Sequence, residues 1–229
     1  MDRAYSLTIE GFRQIMSQTT LPTAAPPPEG QSRADATRAR IEETAERLFR
    51  TLGYQKTAVA DIARELGMSP ANVYRFFPSK SAINEAIAER ILGAMAAEID
   101  AVARGPGAAP DRLRRLLSVL FERKLEFFFA ERRMYDMVAA AMDEHWGVVE
   151  RFIGAVHAAI RQVIEDGIAS GAFAPLDPEA TAHLVMHSMV AWNHPTMVET
   201  CIARRGQTPD LLRAQVAAMT EFVLRALRP

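Results

Sequence analysis

The sequence predicts an all-α fold on three observations. Apolar residues recur at three- and four-residue spacing from Arg33 to the end. The segments they define open on capping residues and close on glycine or proline. Nowhere does a sustained apolar–polar alternation bounded by turn signals indicate a strand. The 229 residues suffice for one substantial core or two modest ones. No window approaches the roughly 20 apolar residues of a membrane helix. No basic start followed by an apolar run marks a secretory signal. The single cysteine, Cys201, excludes an intrachain disulfide and a cysteine-rich zinc site. These features point to a cytoplasmic protein with no membrane partner.

Residues 1–32 hold a short apolar–polar stretch, then a linker from Thr19 to Gly30 with Pro22, Pro26, Pro27 and Pro28. Proline opposes helix and the lack of bulky apolar residues opposes a core, so this segment reads as a flexible arm, with or without a role. Ile41, Ala45, Leu48, Phe49 and Leu52 then mark one face of a helix that Gly53 closes. Thr57 caps a second, with Val59, Ile62, Ala63 and Leu66 inward and Gly67 at its end. Ser69-Pro70 starts a short third helix, Pro70 to Phe77, because proline at the first helical position needs no amide hydrogen. Ser79 caps a long fourth helix reaching about Val102. Beyond the Gly105–Pro110 break come helices over about 111–129, 131–145, 148–170, 178–203 and 209–227, the fourth of them opened by Asp177-Pro178. The chain thus divides into the arm (1–32), a three-helix head (33–80) and a helical body (81–229).

Residues 59–77 carry the functional signal. A helix-turn-helix needs a small residue where its helices cross, a turn residue tolerant of left-handed backbone, and an apolar anchor on the second helix. Ala63, Gly67 and Val73 fill these places. The second helix then offers Ala71, Asn72, Tyr74 and Arg75 outward; Asn and Arg can read base edges, while Tyr and Ser can bond phosphates. Residues 33–90 carry ten Lys/Arg against eight Asp/Glu and residues 91–229 fifteen against seventeen, a distribution that permits a DNA-contacting head.

The run from Thr37 to about Ile91 resembles the tetracycline-repressor (TetR) family of bacterial regulators. The resemblance lies in Ile41, Ala45, Leu48-Phe49, Gly53-Tyr54, Thr57, Val59 to Ala63, Gly67 to Ser69, Val73 to Phe77, and Ser79-Lys80. It implies a homodimer whose recognition helices enter successive major grooves of a near-palindromic double-stranded operator. By the same resemblance Thr57 is a phosphate-contacting cap and Ser69, Ala71, Asn72, Tyr74 and Arg75 are recognition-helix contacts. Lys80 is a phosphate-binding lysine where helical amides also face an anion. One departure is that Pro70-Ala71 stands where many members open this helix with Gly or Ser-Gly, so no operator sequence carries over.

Glu165 to Phe173 followed by Leu176 to Glu179 resembles the turn before the family's penultimate helix. This implies that the last two helices dimerise through Ala182, Val185, Met189 and Trp192 on one and Leu212, Val216, Met219, Phe222 and Val223 on the other. The alternative is that both faces only close the monomer core. Phe121, Leu125, Phe128, Met134, Met137, Val138, Met142 and His145 follow at helical spacing, and such Met/Phe surfaces form adaptable apolar linings; with His187 they are the expected contacts of a small, largely apolar effector. His183, His187, His194 and Cys201 share one helical face, but only the first two are close enough for one ion and Pro195 interrupts the rest; the reading is a buried or interfacial histidine face, with no metal and no cofactor.

The implied function is a one-component regulator, a repressor released by its effector. No Gly-x-Ser-x-Gly, phosphate-cradling loop, His-Glu-x-x-His or dinucleotide fingerprint supports an enzyme. The alternative is a helical adaptor that uses the helix-turn-helix as a protein contact.

Overall fold

The computed structural model describes residues 33–130, 147–194, 197–198 and 200–229. The expected arm 1–32 and the expected helix 131–145 lie outside the described residues. Among the described residues the regular structure is helical throughout, as the periodicity predicts.

Helix α1 spans Arg33–Leu52. Up to Ala39 it is exposed apart from half-buried Thr37, whose hydroxyl donates to the Arg33 carbonyl at 2.8 Å. From Arg40 on it turns Ile41, Ala45, Leu48 and Phe49 into a core. Helix α2 (Val59–Glu65) adds Val59, Ile62 and Ala63, and α3 (Pro70–Tyr74) adds Val73. Between α2 and α3 the Met68 amide donates to the Ala63 carbonyl and the Gly67 amide to that of Arg64, while Gly67 sits at φ 65°. This double bond closes a helix through a left-handed residue, the conformation that glycine adopts without a Cβ penalty.

Helix α4 (Lys80–Arg104) starts where expected, its Ser79 cap accepting from the Ala82 amide at 3.0 Å. Its packing on α6 (Gly147–Ala169) is the most extensive helix pairing, and α5 (Ala109–Ala130) packs on both. Arg112 of α5 is buried, its Nη1 donating to the Ala103 carbonyl at 2.6 Å and to Asp166 at 2.8 Å. Asp177 and Thr208, each followed by proline, cap α7 (Pro178–Ser188) and the last helix, α9 (Pro209–Ala226).

Three expectations shift. Thr57 is not the cap of α2: the helix begins after Ala58, whose amide donates to Asp61 at 2.9 Å, and this bond together with Arg64 lowers the Asp61 pKa. The third helix ends at Tyr74, with Phe76 and Phe77 in a turn on the Val73 carbonyl. The single helix expected over 178–203 is broken into α7, a short α8 (Val190–Asn193) and a π-helical turn at Thr200–Arg204. The break after α8 has a local cause. His194 is extended, φ −85° and ψ 126°, because the ring of a following proline disfavours helical backbone in the residue before it.

Candidate DNA-facing helix and ligand cavity

Val73 is the one fully buried residue of α3, and most of that short helix faces outward. Ala71 and Arg75 are exposed, and Tyr74 is 50% exposed. Ser69 is exposed too, but its hydroxyl accepts from the Asn72 amide at 3.3 Å, so its first role is to cap. Asn72 is half-buried, with Nδ2 3.8 Å from Met68 Sδ. Arg47, Arg50, Arg64 and Arg90 are matched to carboxylates within the head and α4. Among the described residues no carboxylate pairs with Arg75 or Lys56, and both are exposed. Lys56 escaped the motif reading because it lies outside both helices.

Two of the expected phosphate contacts are turned inward. Thr57 is fully buried and its hydroxyl donates to the Gly53 carbonyl at 2.9 Å. Lys80 reaches back across the turn, donating to the carbonyls of Tyr54 at 2.9 Å and Thr57 at 3.1 Å, with its ammonium 4.4 Å from the Tyr54 ring centre. The turn after Gly53 (φ 93°) leaves those carbonyls without helical partners, and the lysine satisfies them.

In the body, α4, α5, α6, α7 and α8 enclose a cavity of about 630 Å³. Its walls are largely apolar, with Leu92, Leu117, Leu120, Phe152, Ile160 and Met186 among them. Polar groups enter at few points: Lys124, Glu150, Asn193 and four histidines, His157, His183, His187 and His194. Lys124 donates to the Asn193 carbonyl at 2.9 Å and lies 3.4 Å from its side-chain oxygen. Burial pushes its pKa down to about 8, and no carboxylate among the described residues forms an ion pair with it. The sequence could have shown this lysine, since it continues the Leu117, Leu120 and Phe121 stripe at helical spacing.

Of the expected effector contacts, His187 lines the cavity. Phe121 and Leu125 are buried in the core and are not part of the lining. Met134, Met137, Val138, Met142 and His145 lie outside the described residues, as does the side chain of Phe128. Of the expected dimer contacts, Ala182, Val185, Met189, Leu212, Val216 and Val223 are buried within the chain itself, so they close the core and have little area to offer a partner. Trp192, Met219 and Phe222 instead meet in a shallow surface groove, with Trp192 Nε1 donating to Gln215 at 3.3 Å. Phe222 is 67% exposed and Leu184 70%, a pair of large apolar side chains that the monomer leaves in water.

Two family models match the chain. One, described as bacterial regulatory proteins of the tetR family, covers residues 41–87; the other, described as a tetracyclin repressor-like C-terminal domain, covers 109–209. The HTH-type transcriptional regulator YhgD of Bacillus subtilis is 24% identical over 169 residues, which is 71% of this chain and 88% of that protein. A TetR/AcrR-family regulator from Thermobifida fusca has a similar structure, with a TM-score of 0.60 at 21% identity over 85% of this chain and 100% of its own. FadR from Bacillus subtilis, solved in complex with stearoyl-CoA, gives 0.60 at 15% identity over 83% and 99%. At these identities the likeness to the two solved structures shows a shared fold.

Proposed function

The chain is a transcriptional regulator of the TetR family, and from that premise we propose that it is a repressor released from its operator by a small, largely apolar effector. The observation that supports this most is the reach of one helix. The first turns of α4 complete the head core through Ile83 and Ile87, and its middle walls the cavity through Ile91, Leu92 and Met95. At 25 residues it spans about 37 Å. A ligand that binds better to one tilt of this helix shifts the population towards that tilt, and its differential affinity is the whole driving force. The cavity lies within the roughly 300–1,000 Å³ of ordinary small-molecule sites, and Lys124 at its wall favours an apolar body with an acidic or hydrogen-bond-accepting end.

In this reading residues 33–80 are the DNA-binding head and 81–229 the effector-binding and dimerising body. Two copies meet through the groove of Trp192, Met219 and Phe222 and place two copies of α3 on one near-palindrome. Ala71, Tyr74 and Arg75 are the side chains that face the major groove.

Fluorescence anisotropy against DNA from upstream of the gene, at rising salt, tests the reading. Saturable binding to one short palindrome is expected, with log affinity falling by roughly 0.9 per log unit of salt for each phosphate neutralised. Affinity no better than for random DNA, or insensitive to salt as a protein-binding adaptor would be, refutes it. Arg75→Ala is expected to weaken the specific complex by about 1–3 kcal/mol and to relax selectivity at one base position. Equal losses on every sequence would make Arg75 a phosphate contact instead.

A further inference from the structure

Helix α7 carries Glu179, His183 and His187 at successive four-residue steps, which places a carboxylate and two imidazoles on one face. His157 of α6 meets that face, its ring centre 4.1 Å from that of His183. The Nε2 atoms of His157 and His183 each lie 3.6 Å from the same oxygen of Glu179, and the three atoms are all within 4.8 Å of one another. These separations are too long for good hydrogen bonds. His157 Nε2 is buried and has no hydrogen-bond partner. The three atoms therefore converge on a point without bonding to each other.

We propose that His157, Glu179 and His183 bind a divalent transition-metal ion of the zinc class. Metal bonds of about 2.0–2.2 Å set tetrahedral ligand atoms about 3.4 Å apart, close to the 3.6 Å from each histidine nitrogen to the carboxylate oxygen. Two imidazoles and a carboxylate suit zinc, cobalt or nickel better than magnesium or calcium, which take oxygen shells. The second Glu179 oxygen lies 3.5 Å from Arg161 Nε, an outer contact that holds the carboxylate with its first oxygen towards the histidines. Three protein ligands leave a coordination position open, and because His157 and His183 line the cavity, that position faces it. His187 stands one turn on, its ring 6.3 Å from that of His183; its Nδ1 donates to the His183 carbonyl at 2.8 Å, which leaves the lone pair on Nε2. Spacing along the sequence brought together only His183 and His187. His157 arrives from another helix, and it supplies the buried ligand that a metal site on α7 alone would lack.

The test uses full-length, tag-free protein stripped of metal, titrated with Zn²⁺ by calorimetry and with Co²⁺ by visible absorption at pH 7.5. One ion per chain is expected, with the intense d–d bands of low-symmetry cobalt. His183→Gln and Glu179→Gln should each lose at least the roughly 10–100-fold in affinity that removal of an outer-shell partner costs, with far-ultraviolet circular dichroism unchanged. Both variants replace exposed side chains, so folding is not at stake. No ion uptake by the wild type, or equal uptake by wild type and both variants, overturns the proposal. Neither result bears on operator binding, which is read separately.

Discussion

Gly167→Ala is expected to destabilise the protein by about 3 kcal/mol, far more than an exchange of glycine for alanine within a helix would suggest. In an open helix the change stabilises, because alanine has the higher helix propensity. Here a Cβ at position 167 would overlap the ring of Phe173, coming within 2.8 Å of its Cγ and closer still to two other ring carbons. Phe173 is 3% exposed and held from behind: the amides of Ala172 and Phe173 both donate to the Gly167 carbonyl, and that of Ala174 to Leu227. The ring has no short way out. Phe173→Ala alone should cost about 3–5 kcal/mol through the cavity it leaves. In the double variant the clash vanishes, so its cost should fall below the sum of the two singles by about 1–3 kcal/mol. Urea unfolding at fixed protein concentration measures all three. A single Gly167→Ala within 0.5 kcal/mol of the wild type would mean that the ring moves aside freely.

Lys124→Met is expected to stabilise the protein near neutrality and to do so less as pH rises. Lys124 titrates at about 8 in the folded chain against an ordinary lysine value of 10.5. The sign follows from linkage: between those values the unfolded state holds more protons, so wild-type stability rises with pH across that window. Below pH 8 the native state carries the full cost of the buried charge. Methionine removes that cost but leaves the Asn193 carbonyl without its donor, at about 1 kcal/mol. The net gain at pH 7 should be about 1 kcal/mol, and at pH 9.5 it should vanish or reverse. A wild-type-minus-variant difference that is equal at the two pH values would show that Lys124 is not titrating in this window. Under the proposed function the same variant loses affinity for acidic effectors, so stability and response move in opposite directions.

The head was legible because its signals are local. Ser69-Pro70, Gly67 and Ser79 each act within a few residues of themselves, and the structure places their caps and turns where spacing predicts. Thr57 misled because a threonine before a helix has two ways to use its hydroxyl, and the turn at Gly53 supplied an acceptor behind it. In the body the stripe of Val185, Met189 and Val216 was visible as a buried face, but a helical period does not say whether the same chain or a second copy does the burying. The neighbouring positions of Trp192, Met219 and Phe222, one step around the helices, are the ones left at the surface groove. His157 and Lys124 were missed for a related reason. Each matters through a residue on another helix, Glu179 in one case and Asn193 in the other.

The interruption after α8 has a consequence for descent. In a continuous helix the Asn193 carbonyl would accept from the amide of residue 197; here that amide goes to His194, and the carbonyl is left for Lys124. The proline at 195 and the lysine at 124 are thereby coupled through one carbonyl, although they stand far apart along the chain. A lineage that loses the proline and rewinds the helix takes the acceptor from the ammonium, and selection then disfavours the lysine as well. Across a family tree, substitutions at positions 124 and 195 are expected to fall on the same branches.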